Sequence, residues 1–149
     1  MTNDTAWLRE KAPGFRLAIL HRLSSGFLSP RMGTLGIRRG WIALLIELLG
    51  EPGQTQEALS RRLRIDKAAT ARALFELERQ GYVTRREDVA DRRQKLVFPT
   101  EQTMALAPRF TDVLAEHNQA LFAGFDEARR REALAILDAM IANLEAAPD

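Results

Sequence analysis

Cysteine is absent from this 149-residue sequence, which removes disulfides as a source of stability and thiolates as redox sensors or metal ligands. Histidine occurs twice, at His21 and His117. The two lie far apart with no other ligand residue at zinc spacing, so no metal and no cofactor is expected. Long apolar runs are missing as well. The longest candidate, Trp41 to Leu49, is interrupted by Glu47 and falls short of the ~18 residues that a membrane span requires, so no membrane partner is expected. The opening MTNDTAWLREKAPG carries acids and lacks an apolar stretch ahead of a small-residue cleavage site, which makes the cytoplasm the expected location. There is no glycine-rich phosphate loop, no Ser/His/Asp or Cys/His set, and the acids are spread along helical stretches. The chain is therefore not expected to be an enzyme.

What is present is an uneven distribution of charge. Apolar residues make up 46% and charged residues 28%, values ordinary for a folded domain that leave neither disorder nor a membrane class favoured. A chain this long is one domain's worth and can bury roughly 70% of its unfolded surface. The formal net charge is only +2, yet the 35 residues from Arg61 to Lys95 hold 11 of the 22 Lys and Arg against 6 of the 20 Asp and Glu. That window carries +5 and the remainder −3, the footprint of a basic module set in a mildly acidic scaffold. Charge runs often mark nothing more than a solvated face. Here the run lies on a short arginine-rich helix, a second helix opened by Asp66 and a basic hairpin, in the order of a winged helix-turn-helix, so nucleic acid is the first partner to consider.

Along the chain, Phe15, Ala18, Ile19, Arg22 and Leu23 recur at helical spacing beyond Pro13-Gly14, predicting a first helix over about 13–32. After Gly33 and Gly36, the residues Trp41, Leu44, Leu45, Leu48 and Leu49 mark a strongly apolar helix ending at Gly50, and Glu51-Pro52-Gly53 reads as a turn. Gln54 or Thr55 can cap a short helix through Leu63. Asp66 is placed to cap the next helix by accepting from the amides of residues 68 and 69, and Gly81 ends it. Within it Thr70, Leu74 and Leu77 form one stripe while Ala68, Arg72, Phe75 and Arg79 lie opposite, so one side packs and the other is free for a partner. Residues 82–87 and 94–98 read as two strands joined by a loop holding Asp88, Asp91, Arg92 and Arg93, the wing. A helical stretch then runs to about Gly124 with Pro108 as a kink or a break. A last helix, from Asp126 to about Ala146, carries Leu134, Leu137, Ile141 and Leu144, flanked by Ile136 and Met140. That is more apolar surface than one solvated helix should show. Either the two chain ends pack together against a second copy in a two-fold dimer, or they form an intramolecular bundle.

From Leu59 onward, LSRRLRIDKAATARALFELERQGYVTRREDVADRRQKLVFPTEQ resembles the MarR family of bacterial transcription regulators. The resemblance rests on Asp66-Lys67 opening the second helix, Arg72, the Leu-Glu-x-x-Gly end, and Asp91-Arg92-Arg93 followed by Leu96-Val97 and Thr100-Glu101. A weaker match extends upstream through IRRGWIALLIELLGEPGQTQEALS. The resemblance implies a mainly α fold: a winged helix-turn-helix lobe over 37–100 with a small β-hairpin wing, and dimerisation helices from 1–36 and 101–149. It implies a homodimer that binds double-stranded DNA at a pseudo-palindromic operator, as a repressor answering to a small aromatic or anionic effector. The other reading of the same fold is a winged-helix module that binds a protein, since fold does not fix function.

In such regulators the recognition helix enters the major groove, and Lys67, Ala68, Ala69, Ala71 and Arg72 would face or flank the bases. Arg72 is the candidate for bidentate contact to guanine. A phosphate contact or an ion pair to Glu76 is the alternative. Alanine at 68, 69 and 71 departs from the Ser or Thr common in the family, which shifts readout toward DNA shape. Phe75, Pro99 and Thr103 are further departures. At the wing tip Arg93 would reach the minor groove, with Asp91 holding the loop. Arg61, Arg62, Arg64, Arg85, Arg86, Arg92 and Lys95 would neutralise phosphates. The resemblance implies an effector crevice between the dimerisation helices and the DNA-binding lobe, in reach of the helices that hold Arg16, His21, Arg38 and Trp41; the alternative is a core place for Trp41 and a surface one for the arginines.

Overall fold

The computed structural model describes residues 5–148. Residues 1–4 and Asp149, the outer ends of the two segments assigned above to dimerisation, lie outside the described residues. In chain order the elements are α1 (Ala6–Glu10), α2 (Pro13–Gly33), a 3-10 turn (Arg39–Trp41), α3 (Ile42–Gly50), β1 (Gln54–Thr55), α4 (Gln56–Leu63), α5 (Lys67–Arg79), β2 (Val83–Glu87), β3 (Lys95–Pro99), α6 (Glu101–Leu121) and α7 (Glu127–Ala146). The fold is mainly helical with one small antiparallel sheet, ordered β1-β3-β2. Two units divide the chain, one up to Leu114 and one from Ala115.

The first unit is built around α3, which is apolar on nearly all sides. Leu44, Leu45 and Leu48 meet Leu59 of α4, Leu74 and Leu77 of α5, and Val83 and Val97 of the sheet, all at most 1% exposed. Burial of each such side chain stabilises the fold by about 1.5–3 kcal/mol. Met32 from α2 and Phe110 from α6 join the same cluster. Trp41 sits beside Tyr82 with ring centroids 5.6 Å apart. The Tyr82 hydroxyl donates to the carbonyl of Gly36 at 3.1 Å. A side chain at Gly36, whose φ is +75°, would meet that hydroxyl at 2.8 Å, so glycine is required there by both backbone and space.

Local chemistry fixes the helix-turn-helix. Thr55 caps α4 by accepting from the amide of Ala58 at 3.1 Å. The buried Ser60 hydroxyl donates to the Ile65 carbonyl at 2.6 Å. Arg64 turns the chain in the left-handed region, φ 51°, a conformation more often given to glycine. Asp66 caps α5 through the amide of Ala69 alone, at 2.8 Å, one of the two acceptances expected. Thr70, Leu74 and Leu77 are buried while Ala68, Arg72, Phe75 and Arg79 are exposed, as the helical spacing predicts. After Gly81 (φ +82°), Thr100 donates to the Gly81 carbonyl at 2.6 Å and Thr103 to the Tyr82 carbonyl at 2.6 Å. The departure at Thr103 thus supplies a buried hydroxyl that ties the start of α6 to the entrance of the wing.

Three features differ from the sequence reading. The five-residue α1 buries nothing and left no apolar periodicity to read. The wing gains a third strand, because Gln54 and Thr55 pair with Val97 and Leu96. Two residues are too few to show alternation. The helix α6 runs unbroken through Pro108. The carbonyl that proline deprives of a partner belongs to Met104, which is exposed, so water can serve it.

In the second unit, Asp126 caps α7 by accepting from the amide of Arg129 at 2.8 Å, and Gly124 takes a positive φ at the turn before it. No residue of α7 is buried within the chain. Leu134, Ile136, Leu137, Ile141 and Leu144 are all exposed. In the first unit, Phe15, Leu17, Ile19, Leu20 and Leu23 of α2 are likewise exposed.

Candidate nucleic-acid interface

The outward stripe of α5 presents Lys67, Ala68 and Arg72 to solvent, with Ala69 and Ala71 half-buried at its sides. The ion pair that would have occupied Arg72 is not made. Glu76 instead accepts from Arg79 at 2.7 Å, and that bond, helped by the charge of Arg38, holds its carboxyl below the usual range. Among the described residues Arg72 has no carboxylate partner, and its nearest neighbours on the helix face are Ala68, Ala71 and the Phe75 ring.

The wing tip is organised by Asp91. Its carboxylate accepts from the Arg93 amide at 3.1 Å, from Arg93 Nε at 3.2 Å and from Gln94 Nε2 at 3.2 Å. The Gln94 amide donates to the Asp91 carbonyl, the Asp88 amide to the Gln94 carbonyl, and Asp88 in turn accepts from the Ala90 amide. These bonds, those to Arg93 foremost, hold the Asp91 carboxyl below the ordinary carboxylate range. Arg93 keeps 91% of its side chain in solvent despite the contact. Arg92 and Lys95 are exposed beside it. The tip is thus a hydrogen-bonded loop that projects cations, the role the sequence gave Asp91. Gln94, which received no role, is its second brace.

The remaining phosphate candidates divide. Arg61 is exposed in the last turn of α4, and Arg86 is exposed with its guanidinium 4.8 Å from the centroid of the Phe98 ring, a cation–π contact that orients it. Arg64 donates to the Arg62 carbonyl at 2.7 Å. Arg62 itself is committed elsewhere: it pairs with Glu51, lies 3.1 Å from Glu47 and donates to Gln54 at 3.1 Å. The hydrogen bond to Glu51 raises its pKa further. It straps α4 to α3 and the turn after it. Arg85 is partly buried. Opposite Val97 and one pleat beyond Val83, it lies on the inner face of the sheet, with 22% of its side chain exposed and Nε 3.7 Å from Glu78. That distance is an ion pair without a hydrogen bond, and Nε is buried with no bonding partner. Strand alternation contained this signal, since Val83 and Arg85 share a face.

Arg85 also lines a cleft of about 390 Å³ with Thr55, Gln56, Glu57, Arg93, Gln94, Lys95 and Val97. Three cations, the first turn of α4 and one acid, Glu57, line it, an excess of positive charge suited to a backbone phosphate. The effector candidates differ in their surroundings. Arg16 donates to the carbonyls of Glu10 (2.8 Å), Arg9 (3.2 Å) and Ala12 (3.4 Å), closing the end of α1. Trp41 is 4% exposed in the core, beneath Arg38, whose guanidinium lies 5.2 Å from the ring. Arg16, His21 and Arg38 are exposed, and of these Arg16 is taken up by its bonds to backbone carbonyls. Among the described residues there is no cluster of three or more His, Asp or Glu that could hold a metal, and no helix long and apolar enough to cross a membrane.

Comparison with known proteins gives the arrangement a place. A sequence profile described as the MarR family matches residues 35–94. The HTH-type transcriptional regulator YybA of Bacillus subtilis is 27% identical over 111 residues, 74% of each chain. The crystal structure of a MarR-family regulator from Listeria monocytogenes, complexed with 26mer DNA, is 24% identical, covering 87% of this chain and 86% of that one with a TM-score of 0.80, a likeness of fold. The crystal structure of a MarR transcriptional regulator from Methanosarcina mazei Go1 is 37% identical, covering 87% of this chain and 94% of that one with a TM-score of 0.79. At that identity and coverage the likeness extends beyond fold, and the chain belongs to the MarR family of transcriptional regulators.

Proposed function

We propose that this protein is a sequence-specific DNA-binding transcriptional regulator that acts as a homodimer on a pseudo-palindromic operator. The observation that carries the reading is the wing tip: a loop held by Asp91 and Gln94 that keeps Arg93 in solvent. A guanidinium held out this way suits the negative potential of a narrow minor groove. Across the sheet, α5 offers Arg72 to base edges, and Arg61, Arg86, Arg92 and Lys95 supply phosphate contacts, with the cleft around Arg85 as a further seat. The Listeria relative was crystallised with DNA on the same fold, which supports the same use here.

Dimerisation is proposed for the segments 1–36 and 101–149, around a winged helix-turn-helix lobe over 37–100. The exposed apolar side chains of α2 and of α7 support it, because each helix shows water a stripe that a second copy would cover. Met32 and Phe110, from those same segments, reach into the lobe's core and would link the dimer contact to the recognition helix. As a ligand-responsive repressor, the protein would occlude its operator and release it when a small aromatic or anionic effector meets the exposed Arg38 and His21. The coupling requires only that the effector prefer one spacing of the two recognition helices.

Fluorescence anisotropy of the full chain on a nonspecific duplex tests the first claim. A dimer making 6–10 phosphate contacts binds tightly at 50 mM salt and loses about 10³–10⁵ in affinity by 200 mM. Absence of binding at 50 mM would overturn the DNA reading in favour of a winged helix that binds protein.

A further inference from the structure

Phe75 stands on the solvent face of α5 with 59% of its surface exposed. The fold does not use the ring, since the buried stripe of the helix is Thr70, Leu74 and Leu77. A single exposed apolar residue is common on protein surfaces, but this one has particular company. With Ala71, Arg72 and Glu76 it lines a shallow, largely apolar cleft of about 390 Å³ on the outward side of the helix. The acid in that group is already engaged by Arg79, so it neither neutralises Arg72 nor presents an unpaired charge to an approaching polyanion. What remains is one guanidinium between a phenyl ring and alanine methyls.

Base edges in the major groove offer the complement of that pattern. Guanine presents two acceptors to an arginine, and thymine presents a methyl group that only an apolar surface can recognise. Phe75 lies three residues after Arg72, so the two side chains start about 4.5 Å apart along the helix axis, close to the ~3.4 Å rise between neighbouring base pairs. We infer that Phe75 reads sequence, its ring packing on the 5-methyl of a thymine next to the guanine held by Arg72. The inference rests on the DNA-binding reading above and adds a base to it. The alanines that cannot hydrogen-bond become part of the same device, an apolar surface that favours thymine methyls on either side of one arginine contact.

The test selects duplexes from a randomised pool with the wild-type protein. It then measures affinity for the best duplex with the thymine beside the Arg72-dependent guanine either intact or replaced by uracil, which lacks only the methyl. Wild type should lose about fourfold on that replacement, the worth of one buried methyl. Phe75→Ala, an exposed substitution to a better helix former that should fold normally, should bind the thymine duplex at least about fourfold more weakly and be indifferent to uracil. An equal uracil penalty in both proteins, or none in either, would overturn the role of Phe75 while leaving DNA binding intact. A pool that enriches no sequence despite salt-sensitive binding would overturn sequence reading as a whole, Phe75 included. Absence of any binding at low salt would remove the reading beneath both.

Discussion

Replacing Arg93 by alanine isolates the wing from the rest of the molecule. The side chain is 91% exposed and its one ion pair is the surface contact to Asp91, so its loss should leave the folding free energy within about 0.5 kcal/mol of wild type. Its effect on binding follows from counterion release. If each copy of Arg93 neutralises one phosphate, a homodimer loses two contacts, and the slope of log K against log salt becomes less steep by about 1.8. Taking 1 M salt as the point where that contribution vanishes, affinity falls about 30-fold at 0.15 M and about 200-fold at 0.05 M. Anisotropy titrations across that range, paired with thermal melts, read both numbers. A slope change near 0.9 would mean that one wing engages per complex. An unchanged slope with unchanged affinity would refute the minor-groove role of Arg93.

Three further outcomes are expected. The Asp91 carboxyl, followed by carbon-detected NMR, should titrate below a peptide aspartate and move up in Arg93→Ala, because hydrogen bonding from Arg93 is the largest cause of its depression. A depressed carboxylate contributes stability that is present above the unfolded pKa and lost as pH falls through the folded one, so the loop should stay ordered from neutral pH down to below the ordinary aspartate range, and loop disorder at pH 5 would contradict this. Arg62→Ala should lower the melting temperature while leaving the salt slope of DNA binding unchanged, since its guanidinium is spent on Glu47 and Glu51; a slope reduced by about 1.8 would return Arg62 to the phosphates. Leu137→Asp, which places a charge in the exposed stripe of α7, should give a monomer in sedimentation velocity, and a profile identical to wild type would place the contact elsewhere.

The sequence was most legible where a signal is local and repeated. The capping carboxylate of Asp66, the stripe Thr70, Leu74, Leu77 and the positive φ at Gly81 all lie within one helix and its ends, so α5 and its outward face could be read from spacing. The Asp91 loop was readable for the same reason, since its bonds span two or three residues. Partners brought together by the fold were not. Arg62 meets Glu47 and Glu51 across the turn between α3 and α4, and nothing near Arg62 in sequence announces it. Arg85 is different, because its inward direction follows from sharing a pleat face with Val83, but the charge pattern drew attention to the arginine and away from its parity. Arg16 closes the end of a helix with no apolar periodicity, which left its real partners invisible. The thin effector site reflects the same limit: it was carried by resemblance, and two of its four residues are committed to the fold.

The central claim is that two copies set two recognition helices and two wings on successive turns of a duplex. Hydroxyl-radical footprinting of the protein on a duplex it has selected measures this directly. The account predicts a two-fold symmetric pattern of protected segments whose centres lie one helical turn, about 10 base pairs, apart, flanked by protected minor-groove positions that disappear with Arg93→Ala. A single asymmetric patch, or flanks unaffected by the loss of Arg93, would contradict it.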